Sequence, residues 1–278
     1  NKDQIIDEGF KKAFFELISQ ITKSSDQKKI EKIRLSKIKG MIESFTIKEE
    51  KFINDTYFVN VGVTFNKKKV HKFLEENNIF PSVPEIKNFL VIPIIIDEKN
   101  RELLLFSNNE FFENWNNTTE DNKLIKYILP TEDLEDLNSI KKNFDTIEEY
   151  DFNDIINKYN LNDSIVILIF KNKDQFRVLS KITIRGKLKI LNKTYDNDNF
   201  ENSNNVKDVI ENLKIIYEDQ WKQSNQINTS IKLPILIKVK SLESKKILKF
   251  EEILNQSDLV SNFKINKFDK DFIFYNII

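Results

Sequence analysis

The sequence predicts an α+β fold assembled from three small α/β units. Three observations carry this reading. Amphipathic segments with three- and four-residue spacing alternate with segments of strict two-residue alternation. Two polar stretches, one holding two of the five prolines, interrupt both periodicities. The chain has 278 residues, against a usual domain size of about 150. Hydrophobic residues make up 40% of the chain, with 23 phenylalanines, enough for each unit to bury a core despite 32% charged residues.

The first unit, residues 1–80, opens with Ile6, Phe10, Ala13, Phe14, Leu17, Ile18 and Ile21 on one face of a long helix. A second helix is expected from about Ile30 to Ser44. "SFTIKEEKF" and "YFVNVGVTF" read as paired antiparallel strands, with Asn54 and Asp55 in the turn and Tyr57, Val59, Val61, Val63 and Phe65 on one face. "NKKKVHKFLEENNI" follows as a helix presenting Val70, Phe73 and Leu74, so the unit reads α-α-β-β-α. The linker is "FPSVPEIKN", Phe80 to Asn88.

The central unit, residues 89–222, starts with "FLVIPIII", apolar on both faces as a strand covered on both sides must be. "RELLLF" reads as a strand or a helix entry, "NNEFFENWNN" as a helix, "IKYILP" as a short strand and "TIEEYDFNDIINKY" as a helix. "SIVILIF", "FRVLSKITI" and "KLKILNKTY" form a three-stranded meander, the first pair joined by "KNKDQ" and the second by a tight turn at Gly186. After the polar tract "DNDNFENSNN", a helix with Val206, Val209, Ile210, Leu213, Ile216 and Tyr217 inward closes a mixed sheet. A second polar linker, "KQSNQINTS", leads to residues 231–278, a β-α-β-β unit whose helix runs from about Leu242 to Leu254. Its last strand stops at Ile278, so this unit is expected to be cut short.

Lys plus Arg and Asp plus Glu both total 44, so no global charge draws the chain to nucleic acid or to an anionic membrane, and no nucleic-acid partner is expected. "KKIEKIRLSKIKG" reads as a solvated basic helix face. With no cysteine, disulfides, thiolate catalysis and cysteine-based zinc sites are excluded. His71 is the only histidine, which rules out a His-His metal site and an ordinary Ser-His-Asp triad. It is read as a surface helix position. Four scattered glycines build neither a P-loop nor a GxGxxG turn, and no cofactor is expected. No apolar run approaches the roughly 18 residues that span a bilayer, since "NFLVIPIII" is broken by Pro93.

"LPTEDLEDL", Leu129 to Leu137, concentrates four carboxylates behind Pro130. Thr131 is the expected N-cap, with Glu132 and Asp133 in the first turn, where the helix dipole favours negative charge, and Leu134 and Leu137 toward the core. The competing reading has Asp133 and Asp136, three apart, converging on a cation. Trp115 and Trp221 lie on amphipathic segments and read as core or interface packing. The overlapping sequons at Asn116 and Asn117 carry no weight in so asparagine-rich a chain.

The order of these segments resembles the bacterial exported family called domain of unknown function two thousand and sixty-six. The similarity covers nearly the whole chain. Its most specific points are Phe65 before a helix, Val91 to Pro93, Trp115, and Pro130 followed by Asp133 and Asp136. The middle unit is also similar to the amino-terminal domain of TolB translocation proteins. The resemblance implies a cleaved signal peptide, a periplasmic location in a Gram-negative bacterium and no assigned activity. That agrees with a chain starting at Asn1, although a trimmed chain would start in the same way. A non-catalytic interaction or envelope-assembly module acting on other envelope proteins is the function it favours; a carboxylate-dependent hydrolase or small-ligand-binding protein is the alternative.

Overall fold

A computed structural model describes residues 2–54, 56–117, 123–172, 175–196, 203–227, 233–240, 243–257, 260 and 262–278. The fold is α+β, and the middle of the chain forms a mixed sheet flanked by helices. The chain forms two compact units: residues 83–225, and a discontinuous unit of residues 1–82 with 226–278. The expected first and third units thus fall into one, although each keeps its own hydrophobic cluster and its own sheet. The strand pairing of Ser82 with Gln226, and the Ile227 N–H donating to the Pro81 carbonyl at 2.8 Å, join them.

In the discontinuous unit, α1 (Lys2–Ile21) buries Phe10, Phe14, Ile18 and Ile21, as its spacing demands. The second helix expected from Ile30 to Ser44 is shorter, α3 (Leu35–Met41), because the chain is already in a strand from Ile42, and a further helix that was not expected, α2 (Ser24–Ile30), precedes it. Arg34 between them is extended (φ −74°, ψ 141°), which lets Ile30 and Ile38 both reach the core. Strands β1 (Ile42–Ile53) and β2 (Thr56–Phe65) pair antiparallel, with Ile53 opposite Thr56. Asn54, one of the two residues expected in the turn, is left-handed (φ 49°), while Asp55 lies outside the described residues. The side chain of Asn66 accepts from the Lys69 N–H and caps α4 (Lys67–Glu76), which buries Val70, Phe73 and Leu74. His71 is half-buried on that helix.

The same unit holds β9 (Ile235–Lys240), α9 (Ser244–Gln256), β10 (Phe263–Phe268) and β11 (Phe272–Ile277). The strands run in the order β10-β11-β9, both pairings antiparallel. Tyr275 and Ile277 pack with Leu254 of α9 on one face.

The central unit is built on β3 (Lys87–Asp97) and β6 (Ser164–Lys171), which pair in parallel from Leu90–Ser164 to Asp97–Lys171. β7 (Gln175–Ile184) and β8 (Lys187–Asp196) extend the sheet antiparallel beyond β6, as the meander predicts. Arg185 and Gly186, both at positive φ, make the two-residue turn between them; this geometry matches strand twist and requires φ > 0 at both positions. Parts of the expected "KNKDQ" turn, of the "DNDNFENSNN" tract and of "KQSNQINTS", together with Thr118 and Thr119 of the sequons, lie outside the described residues.

On the other side of β3 two short strands share one edge: β5 (Ile125–Ile128) runs parallel to Lys87–Leu90, and β4 (Glu102–Leu104) antiparallel to Ile95–Asp97. Pro93 sits in the gap between them. The N–H and C=O of one strand residue point to the same side, so a proline can occupy a central strand where that side lacks a ladder. Asn109 fills the gap, donating from Nδ2 to the Pro93 and Leu104 carbonyls at 3.0 Å each. Its Oδ1 accepts from the Phe111 and Phe112 N–H groups and caps α5 (Glu110–Asn114).

Alternate residues of β3 and β6 enter two cores. Phe89, Val91, Ile95, Ile165, Ile167 and Ile169 face α5 and α8 (Ser203–Ser224); Leu90, Ile92, Ile94, Val166, Leu168 and Phe170 face α6 (Leu134–Lys142) and α7 (Asn153–Asn157). The long helix expected over "TIEEYDFNDIINKY" shortens to a 3-10 turn at Phe144–Thr146 and to α7, with Ile147, Phe152 and Ile155 buried.

Candidate functional site

The acidic segment follows β5 and is set by the buried Pro130. The cap falls two residues later than expected. Asp133 is extended (φ −140°, ψ 121°) and its Oδ1 accepts from the Glu135 N–H at 2.8 Å and the Asp136 N–H at 3.3 Å, so it is the N-cap of α6, with Glu135 and Asp136 in the first turn. Thr131 instead donates its N–H to the Tyr159 hydroxyl at 2.8 Å. Leu134 consequently points outward, 76% exposed, and only Leu137 packs against the core. Glu132 reaches away to accept from the Ser107 N–H at 3.1 Å, and hydrogen bonding by Ser107 holds its carboxyl below the ordinary range.

Asp133 and Asp136 do converge on a common point. Lys158, just past α7, fills it: its Nζ lies 2.7 Å from Asp136 Oδ1 and 2.9 Å from Asp133 Oδ2. The ion pair with Lys158, followed by the amides of Glu135 and Asp136, lowers the Asp133 pKa, and Asp136 followed by Asp133 raises that of Lys158. This is the reverse of what general acid–base work at neutral pH needs, where a carboxyl is raised or a lysine lowered. Among the described residues no three His, Cys, Asp or Glu side chains are grouped to hold a metal ion. The cluster ties the start of α6 to the end of α7. Sequence alone did not place Lys158, 25 residues from Asp133, because helix packing brings it there.

Beside the cap lies an open groove of about 410 Å³, with Leu103, Leu105, Phe106 and Leu137 along it and Glu132, Asp133 and Lys141 as charged members. Its size suits a small molecule.

Trp115 is fully buried, edge-on to Tyr127 at 5.6 Å and stacked on Tyr217 at 6.3 Å. Trp221 is equally buried and donates to the Glu85 carbonyl at 2.7 Å. Both are core residues of the central unit. Beside them α8 carries buried charges that its apolar spacing does not announce. Lys214, with no exposed surface, sits over the Trp115 and Tyr127 rings (5.9 and 5.4 Å), and Glu218 Oε1 accepts from the Leu124 and Ile125 N–H groups at 2.9 and 2.7 Å. These groups hold β5 and α5 to α8.

The surface offers more than the clefts do. β1 and β2 form a sheet of two strands, and among the described residues neither has a second partner. α1 covers part of one face, Phe10 meeting Phe45 at 5.1 Å and Lys2 bonding Glu50 at 2.6 Å. Beyond it Phe52 is 70% exposed, and Ile53 and Phe58 are about half exposed. Exposed apolar strand residues beside unpaired backbone edges are a template for another strand. β8 is a second such edge, with Leu188 and Ile190 exposed, but Lys187, Lys189 and Lys193 punctuate it. Set against known proteins, the chain matches no family model, no curated protein and no solved structure.

Proposed function

We propose that this protein is a non-catalytic interaction module, exported to the periplasm, that works on other envelope proteins by accepting a partner strand on the β1–β2 hairpin. One observation carries the reading: two long strands keep both outer edges unpaired among the described residues while presenting Phe52, Ile53 and Phe58 to solvent. Main-chain bonds along such an edge supply affinity, and apolar side chains at alternate positions supply selectivity. The alternative of a carboxylate-dependent hydrolase or small-ligand-binding protein rests on the groove beside Glu132 and Lys141. It is weakened by the engagement of both Asp133 and Asp136 with Lys158.

A photo-crosslinking residue in place of Phe58, introduced into the protein in bacterial cells, tests the reading. Discrete adducts with periplasmic or outer-membrane proteins are expected, and Phe52→Lys should abolish them. Recovery of the protein in the cytoplasm, or adducts that persist in Phe52→Lys, would overturn it.

A further inference from the structure

A face of the β10-β11-β9 sheet points to a second docking surface of different chemistry. α9 covers one side of this sheet, where Tyr275, Ile277 and Leu254 are buried. The opposite side is set by register: Phe272 stands opposite Lys240, Phe274 opposite both Lys238 and Lys267, and Asn276 opposite Lys264. Side-chain contacts agree, with Lys238 Nζ 3.7 Å from the centroid of the Phe272 ring and 5.5 Å from that of Phe274, and Lys267 Nζ 5.9 Å from Phe274. Leu236, 61% exposed and opposite Asn276, adds an apolar side chain to the same face.

This face therefore carries four lysines, on the two strands flanking the rings, and none of its strand positions holds a carboxylate. Asp269 and Asp271 lie in the β10–β11 turn at one end, beside Lys270, where the amides of Asp271 and Phe272, followed by the charges of Lys238 and Lys267, hold the Asp269 carboxyl below the ordinary range. In a chain whose formal net charge is zero, this is local segregation of charge. Like charges gathered on one face repel, and an anionic partner relieves that repulsion.

We infer that this face docks on an anionic lipid bilayer surface. The rings are half-buried and the ammonium of Lys238 already covers Phe272, so what the face presents is charge rather than open π-surface for base stacking. The lysines are spread along the face from Phe272 to Asn276 instead of being gathered at one residue, which suits a distributed array of phosphates better than a single one. Exposed lysine ammonium groups set over aromatic rings, with exposed Leu236 on the same face, match the boundary between headgroup and acyl chain. The inference is independent of strand docking on the hairpin, because vesicles offer no strand.

Co-sedimentation of the full chain with vesicles tests it, comparing phosphatidylcholine alone with phosphatidylcholine mixed with phosphatidylglycerol. Binding is expected on the mixed vesicles only, and should weaken as salt is raised. Each lysine near an anionic surface strengthens binding about fivefold, so Lys238→Gln, Lys240→Gln and Lys267→Gln together should weaken it roughly a hundredfold. Lys245→Gln with Lys249→Gln on α9 should leave it unchanged. All five lysines are exposed, and an unchanged melting temperature verifies folding. Equal binding to neutral vesicles, no binding to the mixed ones, or equal loss in the α9 variant would overturn the inference. So would displacement of the protein from vesicles by oligothymidylate at matched phosphate concentration.

Discussion

The central strand β3 and the hairpin strand β1 are nearly equal in length, 11 and 12 residues, and their fates are opposite. In β3 every residue from Phe89 to Ile96 is buried; in β1 every residue after Ile42 is exposed. The difference is written in their side chains. "FLVIPIII" is apolar at odd and even positions alike, so only a layer on each face satisfies it, whereas "ESFTIKEEKFI" interrupts its apolar residues with four charges from Lys48 to Lys51. A strand of the second kind can be covered on one side at most, and part of its apolar surface stays available for a partner. Burial belongs to the first region, and the proposed strand docking belongs to the second.

That division can be broken by mutation. The largest effect is expected at Trp115→Ala, which empties a fully buried site and should cost about 3–5 kcal/mol in urea unfolding of the central unit. A cost below about 1 kcal/mol would show that the core is looser than its burial indicates. Next comes Asn109→Ala, which strips the α5 cap and leaves the Pro93 and Leu104 carbonyls without their donor; about 1–3 kcal/mol should be lost.

A third test uses pH. Burial holds the Glu218 carboxyl above the ordinary range, against the opposing pull of the Ile125 amide and Lys222. Between the ordinary value and the raised one the folded state binds more protons than the unfolded chain, so stability falls as pH rises through that window. Glu218→Gln keeps an acceptor for Leu124 and Ile125 and should flatten the slope of melting temperature against pH there. An unaltered slope would mean that another group dominates.

Smaller still is the effect expected at the acidic cluster. Asp133→Asn keeps the cap and loses only the exposed ion pair, so it should shift the urea midpoint less than Asp133→Ala does. The smallest is at the hairpin: Phe58→Lys should change stability by no more than about 0.5 kcal/mol. A larger loss there would place the hairpin with the core and remove the contrast on which strand docking rests.

Much of the fold was legible because periodicity reports burial directly. β3, β6 and the meander, α1, α4 and α8 follow from spacing alone. The break between α2 and α3 was not, because no proline or glycine marks Arg34; the turn serves the packing of Ile30 and Ile38 and is a tertiary demand. The gathering of residues 1–82 with 226–278 was equally hidden, since it comes from bonds between residues more than a hundred positions apart, such as the pairing of Ser82 with Gln226. At the acidic segment the helix start was legible and its cap was misplaced. Thr131 and Asp133 are both good caps, and the choice depends on Tyr159 taking the Thr131 amide. Lys214 and Glu218 are not among the inward residues that the spacing of α8 picks out, yet they lie inward, where aromatic rings and the Leu124 and Ile125 amides receive them.

The ends of the central unit meet: the Val83 N–H donates to the Asn225 carbonyl at 3.0 Å. In genetic terms residues 83–225 form a cassette, entered and left at one point. Such a segment can be excised, transplanted or permuted without stretching either its own chain or its host's. Expressed alone it should keep both of its cores, and a short loop from Ser82 to Gln226, already paired, should close the remainder.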